Sequence, residues 1–341
     1  MTTDLTIAGV SIKPGSRVRL NLPLPPLYTK DDLHMAVTVI RGRKPGPTVF
    51  VSSAIHGDEI NGIEIVRQLL LRKNLNRMAG TLIAVPVVNT YGLFHRERYL
   101  PDGRDLNRVF PGSANGSLAS RLAKTFMDEI VRHCDYGIDL HTATRHRTNL
   151  PQVRINRGNE DAERLARAFG APVIMRSEIR EGSLRSACAD LGITTLVYEA
   201  GEALRHDRPS IRGGVAGILN VLAALQMLPK KEKKTAASPF IAQSSMWVRA
   251  TASGILVPKV RLGERVAKGQ VLGELVEPTD VGSEKLLAPR AGIVISTCEL
   301  PLMYEGEAAF HLAFFDDLGD AVAEVESFVE LHEQPMPAAE I

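Results

Sequence analysis

The chain has 341 residues, 44% of them hydrophobic and 23% charged, with 41 Lys and Arg against 39 Asp and Glu for a formal net charge of +2. That length supports a sizeable core and two domains, and the near balance of charge argues against nucleic acid, which needs an excess of cations to neutralise phosphates. No apolar run approaches the ~20 residues of a membrane span, the opening MTTDLTIAGVSIKPG lacks the build of a signal peptide, and Cys134, Cys188 and Cys298 are odd in number and far apart, so the sequence reads as a cytoplasmic protein without a disulfide frame or thiolate zinc site.

In chain order, RVRLNLPL, HMAVTVIRG and TVFVSSAI are strand-like runs set apart by Pro- and Gly-bearing turns. EINGIEIVRQLLLRKNL follows, with Ile60, Ile63, Val66 and Leu70 at helical spacing. Then come the strand-like TLIAVPVVN, the helical SLASRLAKTFMDEIVRHC leading into YGIDLHT, EDAERLARAFG into PVIMR, and SLRSACADLG into ITTLVYEAGE. IRGGVAGILNVLAALQML closes the series as a helix. Apolar strands alternating with helices predict an α/β domain over residues 1–228, with a mixed, largely parallel sheet flanked by helices.

The charged, proline-bounded PKKEKKTAASP, residues 229–239, reads as an exposed linker. Residues 240–341 are glycine-punctuated β-runs with a weak duplication, Ser253-Gly254-Ile255-Leu256 echoed by Ala291-Gly292-Ile293-Val294. That pattern predicts a small all-β barrel.

Polar, ligand-type residues gather at the ends of the predicted strands. His56 and Glu59 follow TVFVSSAI, Asn89 ends TLIAVPVVN, Asp139 and His141 end YGIDLH, and Glu199 ends TTLVYE. Open α/β sheets bind ligands in the crevice outside the carboxyl ends of their strands, so these residues are expected to converge. Imidazole and carboxylate suit Zn²⁺, and Co²⁺ or Mn²⁺ would accept the same set. His56 and Glu59, three apart, can aim at one point from a helix turn or a tight turn, and His141 can supply a third ligand. Such a metal acidifies a water, and Glu199 would be the general base that takes its proton. Gly57 is expected to let the chain turn sharply after the strand, and Asp58 to point elsewhere as a helix-start cap or a partner of a ligand.

A second cluster, RERYLPDGRDLNRVFPG (Arg96 to Gly112), is dense in Arg and Asn, as an anion clamp or a solvated loop would be. A third basic stretch, TRHRTNLPQVR, is expected to overhang the same crevice. The basic residues Arg108, Arg147, Arg154 and Arg185 point to an anionic substrate or to pairing with Asp and Glu.

The order His56-x-x-Glu59, Asp105-Leu106-Asn107-Arg108, Asp139-Leu140-His141-Thr142 and Glu199-Ala200-Gly201 resembles the aspartoacylase/succinylglutamate desuccinylase family over about residues 45–225. That family is a branch of the zinc-carboxypeptidase-like enzymes. The resemblance implies that His56, Glu59 and His141 bind one zinc, that Glu199 is the catalytic carboxylate, and that Asn107 and Arg108 hold a substrate carboxylate. It further implies that Arg98 polarises the scissile carbonyl, with Arg104 a rival because PDG lengthens the spacing. Arg147 and Arg185 complete the expected substrate-binding set. The tail is similar to biotinyl/lipoyl barrel-sandwich modules, but TDVGSEKLLAP stands where a carrier would place its Met-Lys-Met hairpin, and Lys285 is not expected to be modified.

The expected function is therefore zinc-dependent cleavage of the amide bond of a small, anionic N-acyl amino acid. A carboxypeptidase-like peptidase or other amidase, and a non-catalytic metal- or ligand-binding protein, are the alternatives. No membrane partner is expected, and the sequence leaves open whether the chain forms a homo-oligomer.

Overall fold

Short alternating runs open the chain as antiparallel strands. In the computed structural model, which describes residues 5–28, 32–229, 239–279, 282–315 and 321–333, β1 (Leu5–Ile7) and β2 (Val10–Ile12) form a hairpin. β3 (Ser16–Pro23) pairs with β4 (His34–Arg41) along its whole length. Residues 230–238 of the expected linker lie outside the described residues.

The alternating section follows as β5 (Lys44–Ser53), α1 (Asn61–Leu70), β6 (Ala79–Val85), α2 (Thr90–His95), α3 (Leu118–Glu129), β7 (Tyr136–Ala143), β8 (Arg147–Asn156), α4 (Glu160–Phe169), β9 (Val173–Ser177), α5 (Leu184–Asp190), β10 (Thr194–Glu202) and α6 (Arg208–Ala224). Strands β10, β7, β5 and β6 lie side by side and parallel. They read as continuous apolar runs because helices cover both faces. Val49 and Val51 enter one core with residues of α1, α4 and α6; Phe50, between them, enters the other, edge-on to Phe126 of α3.

The basic stretch Thr144–Arg154 meets the crevice from within the sheet: most of it is β8, an antiparallel strand, with Arg147 and Arg154 among the residues that line the crevice. Pro151 obscured it, since proline gives no N–H to a ladder. The structure accommodates it at a register shift, where Leu150 and Pro151 together stand opposite Ala200.

β11 (Phe240–Ala242) pairs with β9. Beyond it come β12 (Ser244–Arg249), β13 (Gly254–Pro258), β14 (Arg265–Val266), β15 (Val271–Val276), β16 (Ser283–Leu287), β17 (Gly292–Cys298), β18 (Leu302–Met303) and β19 (Ala308–Phe314). β16, β15, β13 and β18 make a four-stranded antiparallel sheet, packed through Leu256, Leu272 and Leu275 against Val294, Phe310 and Leu312. β12, β19 and β17 instead extend the large sheet, because β17 pairs with β8 through Ser296–Asn149, Thr297–Thr148 and Cys298–Arg147. The glycine-punctuated pattern gave no sign of α7 (Ala321–Glu333), whose Phe328 meets Gly213 of α6. Among the described residues no helix is long and apolar enough to cross a membrane.

Candidate active site

The chain reverses after β5 at Ala54, which takes a left-handed φ of 51°. The next residues form a tight turn closed by the Glu59 N–H donating to the His56 carbonyl at 3.1 Å, and α1 starts only at Asn61. The turn sets both side chains on one point: His56 Nδ1 is 2.7 Å from Glu59 Oε1. Gly57 lies inside that turn, as expected, and it also serves closeness. Its φ is not positive, but a Cβ there would lie 2.0 Å from the carbonyl carbon of Gly92 in α2.

His141 arrives from β7, next to β5, and its Nδ1 is 2.8 Å from Glu59 Oε2. Candidate ligand atoms of His56, Glu59 and His141 all lie within 4.8 Å of one another, and all three residues are buried. Each imidazole has its other nitrogen on a carboxylate: His141 Nε2 on Asp139 at 2.7 Å, His56 Nε2 on Asp105 at 3.1 Å. Those contacts leave both Nδ1 atoms turned to the shared point, the arrangement that orients metal-binding histidines.

Electrostatics fit a dication. Burial alone would lift the Glu59 carboxyl, but the two imidazoles hold it well below the usual carboxylate range. Burial opposes charge on His56 and His141; Glu59 with Asp105, and Asp139 with Glu59, outweigh it and raise both imidazoles. Three carboxylates around two imidazoles thus call for positive charge, and one divalent ion supplies what two protons would. Two nitrogens and a carboxylate are also the donor set of a zinc site that keeps an open position.

Glu199 stands beside His141 in the parallel β10–β7 register. Asn149 Nδ2 donates to its Oε2 at 2.9 Å, and Arg154 Nε is 3.7 Å from its Oε1. Arg98 reaches in after α2, its Nη1 3.2 Å from Glu59 and its Nη2 2.9 Å from Asp105. Asp105 caps the short turn Leu106–Arg108 by accepting the Asn107 N–H at 2.8 Å, and Asn107 Oδ1 accepts the Leu184 N–H at the start of α5.

His56, Glu59, His141, Glu199, Arg98, Asn107, Arg108, Arg147 and Arg185 all line one cavity of about 450 Å³. Arg104 does not; it is exposed, 3.8 Å from Asp102. Asn89 also stands apart, capping α2 by accepting the Gly92 N–H at 2.8 Å. Asp58 is buried, with its Oδ2 3.6 Å from Arg145, and it caps no helix; burial, and then the charge of Glu59, raise its carboxyl. Arg185 donates to Ser177 Oγ and the Glu178 carbonyl, each at 2.9 Å, and burial, then the charge of Arg154, pull its pKa down to about 10. Sequence reasoning missed Asn149, Arg180, Trp247 and Ser296 on the cavity wall. Asn149 lay inside the basic stretch and was not singled out, and the strands carrying Trp247 and Ser296 reach the cavity only through the β8–β17 pairing, which no local pattern announces.

Residues 45–225 match the profile described as the succinylglutamate desuccinylase/aspartoacylase catalytic domain. The chain is 29% identical to the N-alpha-acetyl-L-2,4-diaminobutyric acid deacetylase of Halomonas elongata, over 86% of each chain. It is 32% identical to the succinylglutamate desuccinylase of Pseudomonas aeruginosa, over 42% of this chain and 44% of that one. Its fold resembles the crystal structure of a succinylglutamate desuccinylase/aspartoacylase from Rhodobacter sphaeroides with a TM-score of 0.77 and 27% identity, covering 87% of this chain and 95% of that one.

Proposed function

The chain belongs to the succinylglutamate desuccinylase/aspartoacylase family, and on that premise we propose that it is a zinc-dependent hydrolase cleaving the amide bond of a small N-acyl amino acid. The observation that carries this reading is the buried His56–Glu59–His141 cluster, with both Nε2 atoms held by carboxylates and Glu199 one strand away.

Zinc held by those three residues would supply an acidified water and a Lewis acid for the acyl carbonyl. Glu199, steadied by Asn149, takes the proton of the attacking water and returns it to the leaving amine. Arg98 is the guanidinium assigned to the charge that develops on the carbonyl oxygen, since it lines the cavity and Arg104 does not. Arg108, Arg147 and Arg185, with Asn107, hold the anionic groups of the substrate. Trp247 and Ser296 close one side of the cavity, which favours a small acyl amino acid over a peptide.

The test is Glu199→Gln. Hydrolysis of an N-acyl amino acid panel, read by amine release, should fall by about 10²–10⁴, while metal analysis still finds one zinc per chain. A variant of near wild-type rate would overturn the role of Glu199.

A further inference from the structure

Of the arginines in the basic stretch after His141, Arg147 and Arg154 line the cavity and Arg145 does not. Arg145 stands at the tip between β7 and β8, on a firm mount. The next residue, His146, is left-handed at φ 64°; its N–H donates to Glu202 Oε1 at the end of β10 at 3.0 Å, and its carbonyl accepts the Glu299 N–H at 2.8 Å.

From that mount the Arg145 guanidinium reaches two segments far apart in sequence. Its Nε is 3.6 Å from Oδ2 of Asp58, inside the His56–Glu59 turn. Its Nη2 donates to the Arg96 carbonyl and lies 3.2 Å from Glu97 Oε1. Asp58 is 4% exposed, and Arg145 is the cation within ion-pair distance of its carboxylate among the described residues. Both segments lead directly into the site. Glu59 follows Asp58. Arg96 ends α2 in a left-handed conformation, φ 55°, and two residues on, Arg98 sets its Nη1 3.2 Å from Glu59 and its Nη2 2.9 Å from Asp105. The Arg96 and Glu97 N–H groups donate back to the Leu93 and Gly92 carbonyls at 3.0 and 2.8 Å. Those ties run within the segment, and Arg145 adds one from the sheet. A planar guanidinium can hold a carboxylate on one side and a carbonyl on the other, a span that a lysine ammonium, as a point charge, does not make.

We propose that Arg145 is a positioning residue: its guanidinium clamps the backbone at Arg96 to the His56–Glu59 turn and so fixes where Arg98 meets the scissile carbonyl oxygen. This rests on the hydrolase reading, in which Arg98 takes the charge that develops on that oxygen. Arg145 itself touches no substrate. A misplacement of about 1 Å, caused away from the chemistry, can cost on the order of 10²-fold in rate. Because the Arg98 contact matters most in the transition state, the loss falls on kcat rather than on KM.

Zinc-loaded wild type, Arg145→Gln, Arg98→Ala and the double variant are assayed on N-succinyl-L-glutamate, N-acetyl-L-aspartate and N-acetyl-L-2,4-diaminobutyrate, with zinc content and thermal midpoint measured alongside. Arg145→Gln should lower kcat about 10–10²-fold, with KM within about threefold and zinc content unchanged. In the Arg98→Ala background it should lower kcat less than about twofold, because a residue that works through Arg98 then has nothing left to place. A wild-type kcat, or a further loss of about tenfold in that background, overturns the proposal and leaves the hydrolase reading standing. Arg145→Lys keeps a cation beside the buried Asp58 without the span, and it carries the test if Arg145→Gln does not fold; a wild-type kcat for Arg145→Lys overturns the clamp. Amide hydrogen exchange at Arg96 and Glu97, read without substrate, does not depend on turnover. Either substitution should speed it about tenfold, the worth of a charge-assisted hydrogen bond, while exchange in α6 stays as in wild type. Unchanged exchange at both residues overturns the clamp even where no compound is turned over, whereas a wild type that hydrolyses none of the three counts against the hydrolase reading.

Discussion

Asp139→Asn isolates what one carboxylate contributes to the proposed zinc site. Asp139 is 2% exposed; its Oδ2 is 2.7 Å from His141 Nε2 and its Oδ1 accepts the Ser52 hydroxyl at 2.8 Å. Asparagine can keep both contacts, its oxygen toward His141 and its amide donating to Ser52 Oγ. Shape is preserved, and what disappears is the charge. A charge-assisted hydrogen bond worth about 1.5–3 kcal/mol becomes a neutral one worth about 0.5–1.5 kcal/mol. The difference, about 1–1.5 kcal/mol, is roughly tenfold in zinc affinity, at the lower end of the ~10–100-fold cost of losing a partner of a metal-bound histidine. The assay is competition against a chromophoric chelator at fixed pH, with the thermal midpoint as the check on folding. Zinc affinity within about threefold of wild type would refute the claim that Asp139 tunes His141. Complete loss of zinc from a folded variant would refute it from the other side, making Asp139 a ligand.

Other consequences are as direct. His311 is buried, and burial followed by the charge of Arg154 pulls its pKa down to about 3. The unfolded chain takes up that proton near the ordinary ~6.5, so this residue's contribution is complete above that pH and is lost as pH falls toward the folded value. His311→Phe keeps a ring against Trp247 and removes the proton: its stability relative to wild type should rise by ~1 kcal/mol per pH unit between pH 6 and 4, read from urea unfolding, and parallel pH curves would refute the reasoning. Gly57→Ala puts a methyl 2.0 Å from the Gly92 backbone, where no side chain can yield; it should cost about 1–3 kcal/mol and weaken zinc binding, whereas a wild-type midpoint would show the approach to be less tight. Asn149→Ala frees Glu199 Oε2 and should lower kcat/KM about tenfold at unchanged zinc content, with full activity excluding a positioning role.

The parallel core was legible because its signals are local. Val49, Val51, Ile138 and Leu196 stand in apolar runs bounded by turns, and the helices between them keep their spacing within a dozen residues. The candidate ligands were legible for a related reason: His56, His141 and Glu199 each stand at the end of such a run, and in a parallel sheet adjacent strand ends are neighbours whatever their distance in sequence. Gly57 was read for only one of its two properties. Glycine before a helix suggests a turn, and Gly57 does lie in the His56–Glu59 turn, but what requires glycine there is the backbone of Gly92, a long-range contact with no sequence trace.

β8 shows where local reading stops. Its residues did not read as a strand because Pro151 interrupts it and basic residues fill it, and those basic residues line the site. Arg147 and Arg154 line the cavity and Asn149 holds Glu199; an ordinary apolar strand in that position would have been recognised at once and would leave Glu199 without those partners. The same strand offers its other edge to β17. Because side chains alternate with a period of two, a one-residue slip in the β8–β17 register would turn Ser296 away from Asn149 and from the cavity. Three residue pairs fix that register, so the place of Ser296 on the cavity wall depends on a few backbone hydrogen bonds, whereas Glu199 is set by the pairing of β10 with β7 and β8.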